Sequence, residues 1–123
     1  MDMRSYFGRS RRSHARSTDG GKTWSAHQDA EARVEPVFQD SILRHEPGLL
    51  LFSNPADPKT RVRLTVKASA DDAKTWRDVA VLHEGPSAYS CLVSLDPATA
   101  GCLYERGEKR AYEKITFARF NVK

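Results

Sequence analysis

Two eight-residue stretches of this sequence are near copies of one another, and they constrain the fold more than any other feature. Ser17-Thr18-Asp19-Gly20-Gly21-Lys22-Thr23-Trp24 recurs 52 residues on as Ser69-Ala70-Asp71-Asp72-Ala73-Lys74-Thr75-Trp76. Ser, Asp, Lys, Thr and Trp hold matching positions, and these are the chain's only two Trp residues. The pattern suits a β-hairpin corner. An Asp carboxylate accepts backbone N–H groups across the turn, Gly supplies positive φ, and Trp packs back on the sheet. Ala73 stands where the first copy has Gly21, so the second turn is expected to be strained or reshaped. A repeat of roughly 40–50 residues in β-rich sequence marks a β-propeller with four strands per blade.

The remaining sequence reads as β throughout. Apolar residues alternate at period two or come in short runs bounded by Gly, Pro, Asp and Asn. The clearest strand is 61–69, where Val62, Leu64, Val66 and Ala68 face one way and Arg61, Arg63, Thr65 and Lys67 the other. Further strands are expected near 2–7, 11–17, 39–45, 48–53, 76–83, 88–95, 99–105 and 114–121. Turn signals separate them: Asp19-Gly20-Gly21, Glu46-Pro47-Gly48, Asn54-Pro55-Ala56-Asp57-Pro58, Gly85-Pro86, Asp96-Pro97 and Arg106-Gly107. The expectation is an all-β, antiparallel chain filling residues 1–123 as one incomplete propeller of two to three blades.

Composition excludes several classes. The longest apolar run, Leu49-Leu50-Leu51-Phe52, is far short of the ~20 residues of a membrane-spanning helix. The opening residues read as strand, with none of the apolar stretch of a secretory leader; localisation is left open. Net charge is +4, from 20 Lys+Arg against 16 Asp+Glu. The excess lies in residues 1–24 (Arg4, Arg9, Arg11, Arg12, Arg16 and Lys22 against Asp2 and Asp19). That patch has little aromatic interleaving, which disfavours nucleic acid. It reads as a solvated basic strand pair, or as arginines that receive a small anion. His14, His27, His45 and His83 lack metal-ligand spacing, and no cofactor is expected. Cys91 and Cys102 flank the Asp96-Pro97 turn as possible cross-strand neighbours, with reduced thiols favoured over a disulfide.

The repeated S-x-D-x-G-x-T-W element resembles the Asp-box (BNR repeat) of the sialidase, or neuraminidase, superfamily. Three further stretches strengthen the resemblance. Met3-Arg4-Ser5-Tyr6 leads into the first box. Phe52-Ser53-Asn54-Pro55-Ala56 is followed by Arg61-Val62-Arg63-Leu64-Thr65-Val66. Gly85-Pro86-Ser87-Ala88-Tyr89-Ser90 is followed by Leu103-Tyr104-Glu105-Arg106-Gly107. All resemble the C-terminal part of a bacterial-type exo-α-sialidase, in the same order and at similar spacing. The resemblance implies a six-bladed propeller and a retaining glycosidase that releases terminal sialic acid from glycoconjugates.

Such substrates carry a carboxylate on the anomeric carbon, which repels an anionic nucleophile, so the family uses Tyr instead. Tyr89 matches that nucleophile. A phenol of pKa near 10 needs a base, which the family supplies as a Glu from another blade. Arg4 and Arg61 match the second and third of three arginines that grip the substrate carboxylate by planar, bidentate pairing; Arg63 is the nearest rival to Arg61. Glu105 matches the Glu that orients the first arginine. That arginine, the acid/base Asp and the Glu paired with Tyr have no counterpart here. Asp19 and Asp71 belong to the boxes, and Glu35 matches no motif.

Two functions follow: a sialidase polypeptide inactive in isolation, or a non-catalytic Asp-box segment for carbohydrate binding or assembly. The partners implied are sialylated glycans, with self-association through uncovered blade faces. The resemblance also implies that Arg4, Arg61 and Tyr89 converge within about 10 Å, the span of a small sugar pocket. The two boxes should lie at the outer rim, away from that cluster, each with its Trp packed in its own blade.

Overall fold

The computed structural model describes residues 1–122. Nine strands form in chain order: β1 (Asp2–Met3), β2 (Arg11–His14), β3 (Gln28–Val34), β4 (Ser41–Glu46), β5 (Leu49–Pro55), β6 (Val62–Ser69), β7 (Arg77–Asp96), β8 (Thr99–Arg106) and β9 (Lys114–Asn121). All pairings are antiparallel between sequence neighbours, in a three-stranded sheet β1-β2-β3 and a six-stranded sheet β4 through β9. No helix among the described residues is long and apolar enough to cross a membrane.

The six-stranded sheet is two blades sharing one strand. The first half of β7 pairs with β6, from Arg77 opposite Ala68 to Pro86 opposite Val62. The second half pairs with β8, from Ser87 opposite Arg106 to Asp96 opposite Thr99. Gly85-Pro86 reads in the sequence as a turn, yet the chain runs straight through it as strand. The hand-over explains this: Pro has no N–H to give a ladder, and Pro86 sits where one partner is left and the next begins. Its carbonyl accepts the Gly107 N–H at 2.9 Å, and the next N–H, of Ser87, goes to the Arg61 carbonyl at 2.8 Å. The result is three blades: β1–β3, β4–β7, and the second half of β7 with β8 and β9. Only the middle one has four strands.

Two sequence expectations need correction here. Strand 2–7 shrinks to Asp2–Met3, and β3 is a strand that the apolar pattern does not reveal. Gln28-Asp29-Ala30-Glu31-Ala32-Arg33-Val34 holds only small, polar or charged residues apart from Val34. Its buried positions are Ala30 and Arg33, and a buried arginine reads as surface in any hydropathy pattern.

The main core lies in the second and third blades, where Leu51, Leu64, Val66, Leu92, Ala100, Cys102 and Tyr104 pack together. Phe52, Ser53, Asn54 and Pro55 are all buried, so this segment cements blades together. Asn54 Nδ2 donates to the Val34 carbonyl of the first blade at 2.7 Å. Ser53 Oγ meets Ser90 Oγ of the third at 2.8 Å. Cys91 opposes Leu103, and Cys102 opposes Leu92. The two thiols therefore point to opposite faces of the sheet and both are free, so they are not cross-strand partners. Burial pushes the Cys102 thiol up to about 11.

The boxes link β2 to β3 and β6 to β7, and they fold alike. Asp19 accepts from Thr23 N at 2.9 Å and Thr23 Oγ1 at 2.6 Å. Asp71 accepts from Thr75 N at 2.9 Å and Thr75 Oγ1 at 2.6 Å. Ser17 and Ser69 hydroxyls each bridge to the Asp and take the N–H four residues on. Bonds from the Thr hydroxyl and N–H lower both carboxyls, Asp19 to about 2. Gly20 and Gly21 lie at φ 73° and 89°; Asp72 and Ala73 take the same left-handed turn at 55° and 67°. The second box is thus strained and not reshaped. Trp24 bonds its own turn, Nε1 to the Gly21 carbonyl at 3.0 Å. Trp76 packs edge-on to Phe52 of its own blade, at 5.7 Å between centroids, and also meets Arg33 of the first blade.

Ala73→Gly is expected to stabilise the chain by about 0.5–1 kcal/mol, relief of left-handed strain less the added freedom of the unfolded chain. Gly21→Ala is expected to destabilise it by a similar amount; urea midpoints check both.

The outward face of the third blade carries Val93, Leu95, Leu103, Ile115 and Phe117, all exposed, and β9 has a free edge. Uncovered apolar sheets and open edges associate. We expect concentration-dependent association in light scattering, reduced by Ile115→Lys; a single monomeric species at every concentration contradicts this.

Candidate functional site

Arg4 follows β1, Arg61 precedes β6, and Tyr89 lies in the second half of β7. No local sequence relation joins them, yet Arg61 and Tyr89 meet on one aromatic ring and Arg4 lies beside Tyr89. Phe38, fully buried in the loop between β3 and β4, lies with its ring centroid 5.0 Å from that of Tyr89. The Arg61 guanidinium carbon sits 4.6 Å above the same Phe38 ring. Arg4 Nη1 donates to the Tyr6 hydroxyl at 3.0 Å. That bond, and the nearby Tyr89 hydroxyl, raise the Arg4 pKa above its ordinary value. Two guanidiniums and a phenol thus share one neighbourhood.

Glu105 joins the cluster through the backbone: its Oε2 accepts the Tyr89 N–H at 3.1 Å. Tyr89 and Glu105, with Gln39, Ser90, Cys91, Leu103, Tyr104 and Ile115, line an open depression of about 320 Å³. Arg63, the rival to Arg61, points elsewhere, 3.6 Å from Glu84. The larger groove of the molecule, about 600 Å³, lies at the box end and includes Trp24, Arg44 and Asp72 but none of the four residues above. Asp19 and Asp71 bond within their own turns, away from the cluster.

Sequence reasoning missed three contributors. Phe38 carries no motif signal. Tyr6 lies in an N-terminal segment read as strand. Tyr112, whose hydroxyl accepts from Arg61 Nη1, sits in the loop between β8 and β9. That loop is closed by Glu113, which accepts the N–H groups of Glu108, Lys109 and Arg110 at 3.0, 3.1 and 2.8 Å. Gly107 is required there, because a Cβ would lie 1.9 Å from the Arg110 carbonyl oxygen. A Glu three residues after a Lys-Arg-rich turn is the one available signal.

Behind the cluster lies a buried group of charges. Arg12 is 3% exposed, Arg33 2% and Glu35 0%. Arg12 Nη1 donates to Glu35 Oε2 at 2.9 Å and to the Phe38 carbonyl at 2.7 Å. Its Nε donates to Asp2 Oδ2 at 3.3 Å and lies 2.5 Å from Asp40 Oδ2, a close contact without hydrogen-bond alignment. Arg33 Nη1 reaches Asp2 Oδ1 at 2.6 Å. Glu35, unassigned by sequence, is thus a central structural charge.

A family profile for BNR repeat-like domains matches residues 1–102. The chain belongs to the sialidase superfamily. It is 36% identical over 84 residues to human Sialidase-4, covering 63% of this chain and 17% of that protein. It is 37% identical over 116 residues to a Bacteroides fragilis sialidase, covering 85% and 21%. A Hadza microbial sialidase superposes with a TM-score of 0.79 at 35% identity, over 98% of this chain and 24% of that one. The chain therefore spans about a sixth to a quarter of the length of these sialidases.

Among the buried charges, Asp40 shows the largest displacement from normal behaviour. Burial, reinforced by Asp2, pushes its carboxyl up to about 8 from 3.8, against the pull of Arg12. The folded chain then holds a proton that the unfolded chain releases, so stability falls as pH rises from about 4 to about 8 and levels off above. Asp19 and Asp71 act oppositely: their contribution is present above the ordinary carboxylate range and is lost in acid. Asp40→Asn is expected to flatten the decline between pH 4 and 8 and to raise Tm at pH 8 by several degrees, leaving the acid limb in place. Thermal melts across pH check this.

Proposed function

We propose that this chain supplies part of a sialic-acid site of the sialidase type. In this reading Arg4 and Arg61 grip the substrate carboxylate and Tyr89 is the nucleophile that attacks the anomeric carbon. Glu105 orients the arginine that would complete the carboxylate grip. The observation that carries the reading is the convergence of three blades on Tyr89: Arg61 shares the Phe38 ring with it, and Arg4 lies beside its hydroxyl. Guanidiniums suit the role because each forms two parallel charge-assisted bonds with a carboxylate. A neutral phenol suits attack beside an anion better than Asp or Glu does. Glu105 on the Tyr89 N–H also fixes the strand at the nucleophile.

The three blades hold no counterpart of the acid/base Asp, of the Glu that deprotonates Tyr, or of the first arginine. The chain by itself therefore acts as a carbohydrate-binding segment. Complete hydrolysis belongs to a polypeptide that contains those groups. The exposed face of Leu103, Ile115 and Phe117 supports a role in assembly for the same segment.

Titration with free sialic acid, followed by NMR shifts of labelled protein, tests the reading. Arg4→Ala and Arg61→Ala are each expected to weaken binding about 10- to 100-fold, the loss of a charge-assisted pair at about 1.5–3 kcal/mol. Tyr89→Phe should leave carboxylate binding nearly intact. No turnover of a fluorogenic sialoside is expected from the 123-residue protein. Turnover that disappears in Tyr89→Phe would show that the chain is catalytically sufficient.

A further inference from the structure

We propose that Arg12 and Glu35 are positioning residues of the site, holding Arg4 and the Phe38 ring in register with Arg61 and Tyr89. This rests on the reading of the Arg4, Arg61 and Tyr89 cluster given above. Neither Arg12 nor Glu35 lines the depression beside Tyr89; each acts through backbone, Arg12 on Phe38 itself and Glu35 on the residue next to Arg4. Glu35 Oε1 accepts the N–H of Ser5, the residue after Arg4, at 3.4 Å. Its other oxygen takes Arg12 Nη1 at 2.9 Å, and the same nitrogen holds the Phe38 carbonyl at 2.7 Å. One ion pair therefore connects the two segments that deliver a guanidinium and an aromatic platform.

The loop shows the strain expected of a held segment. Val37, next to Phe38, lies at φ 62°, a conformation that a β-branched residue adopts only when its surroundings impose it. Ser10, at φ 51°, accepts the Glu35 N–H on its carbonyl at 3.2 Å. Two left-handed residues thus flank the Arg12–Glu35 bridge. Without it, Val37 returns to ordinary backbone angles and the Phe38 ring leaves its place between Arg61 and Tyr89.

The charges around the bridge come from every element packed there. β1 brings Asp2, β2 brings Arg12 and His14, β3 brings Arg33, and the loop brings Glu35 and Asp40. The Met1 amino group bonds the Ala15 carbonyl at 2.9 Å. His14 is lowered by burial and by Arg33, so it adds no positive charge near neutrality. Two guanidiniums then face three carboxyl groups. The proton kept by Asp40 to about pH 8 balances them, and its loss leaves one unmatched negative charge beside Glu35.

The test uses labelled 123-residue protein and two readouts. The first is the NOE between the Phe38 and Tyr89 rings, with the Phe52–Trp76 NOE of the second blade as internal control. The second is affinity for free sialic acid. Arg12→Lys and Glu35→Gln are expected to abolish the Phe38–Tyr89 NOE, to keep the control, and to weaken sialic acid at least tenfold. In the parent protein the Phe38–Tyr89 NOE should fade above about pH 8, and Asp40→Asn should preserve it. Variants that keep the NOE, or that bind sialic acid as the parent does, overturn the proposal. If both bridge variants fail to fold, Glu35→Asp, which keeps the charge and shortens its reach to Arg12 and Ser5, decides, and an unchanged NOE and affinity overturn the proposal. A parent protein that binds no sialic acid but shows the expected NOE pattern leaves the positioning role standing and removes the carboxylate-site reading.

Discussion

Two buried guanidiniums organise this molecule. An unpaired charge in a protein interior costs several kcal/mol, so Arg12 and Arg33 dictate where acids must be. Asp2 from β1, and Glu35 and Asp40 from the loop between β3 and β4, come to meet them. Arg33 also reaches across to the second blade, with its guanidinium carbon 5.3 Å from the Phe52 ring centroid and 5.4 Å from that of Trp76. A desolvated cation–π contact contributes about 2 kcal/mol. It also fixes orientation, because a planar cation between two rings has few alternatives. Apolar side chains of similar volume would serve stability as well; what the charges supply here is position.

The motifs divide between cement and chemistry. Phe52, Ser53 and Asn54 are buried and contact neighbouring blades, while Arg61, six residues past Pro55, is exposed. Between them Asp57 accepts the N–H groups of Lys59 and Thr60 at 2.9 and 2.6 Å, which stiffens the approach to Arg61. In the same way Ser90 locks inward on Ser53 while its neighbour Tyr89 faces out. Rigid elements thus carry reactive groups on adjacent residues, which is how a strand presents chemistry without itself moving.

Much of this was legible in the sequence. The two boxes announced their own hydrogen bonding, since Ser, Asp and Thr at fixed offsets have one compact way to satisfy each other. Arg4, Arg61 and Tyr89 were legible only through family resemblance, since nothing local joins them. Glu35 and Arg12 were not legible: charged residues in a hydrophilic stretch read as solvated, and only tertiary packing reveals them as interior. Phe38 was silent for a related reason. A single aromatic in a Pro-containing loop has no periodicity to place it. Gly85-Pro86 misled, because the turn preference of Pro was overruled by a change of strand partner at the residue where its missing N–H does no harm.

The continuity of β7 has a consequence for how the molecule divides. Its 20 residues are the outer strand of one blade and the inner strand of the next, so those two blades have no seam between them. The first blade is joined to them covalently only through residues 35–40. A cut in that loop would leave each sheet whole and the halves able to reassemble as complementary fragments through Asn54, Arg33 and the box-end contact of Arg16 with the Asp72 carbonyl. A cut in β7 would break the one strand that two blades share. The natural unit of exchange in this chain is therefore the first blade, and the other two travel together.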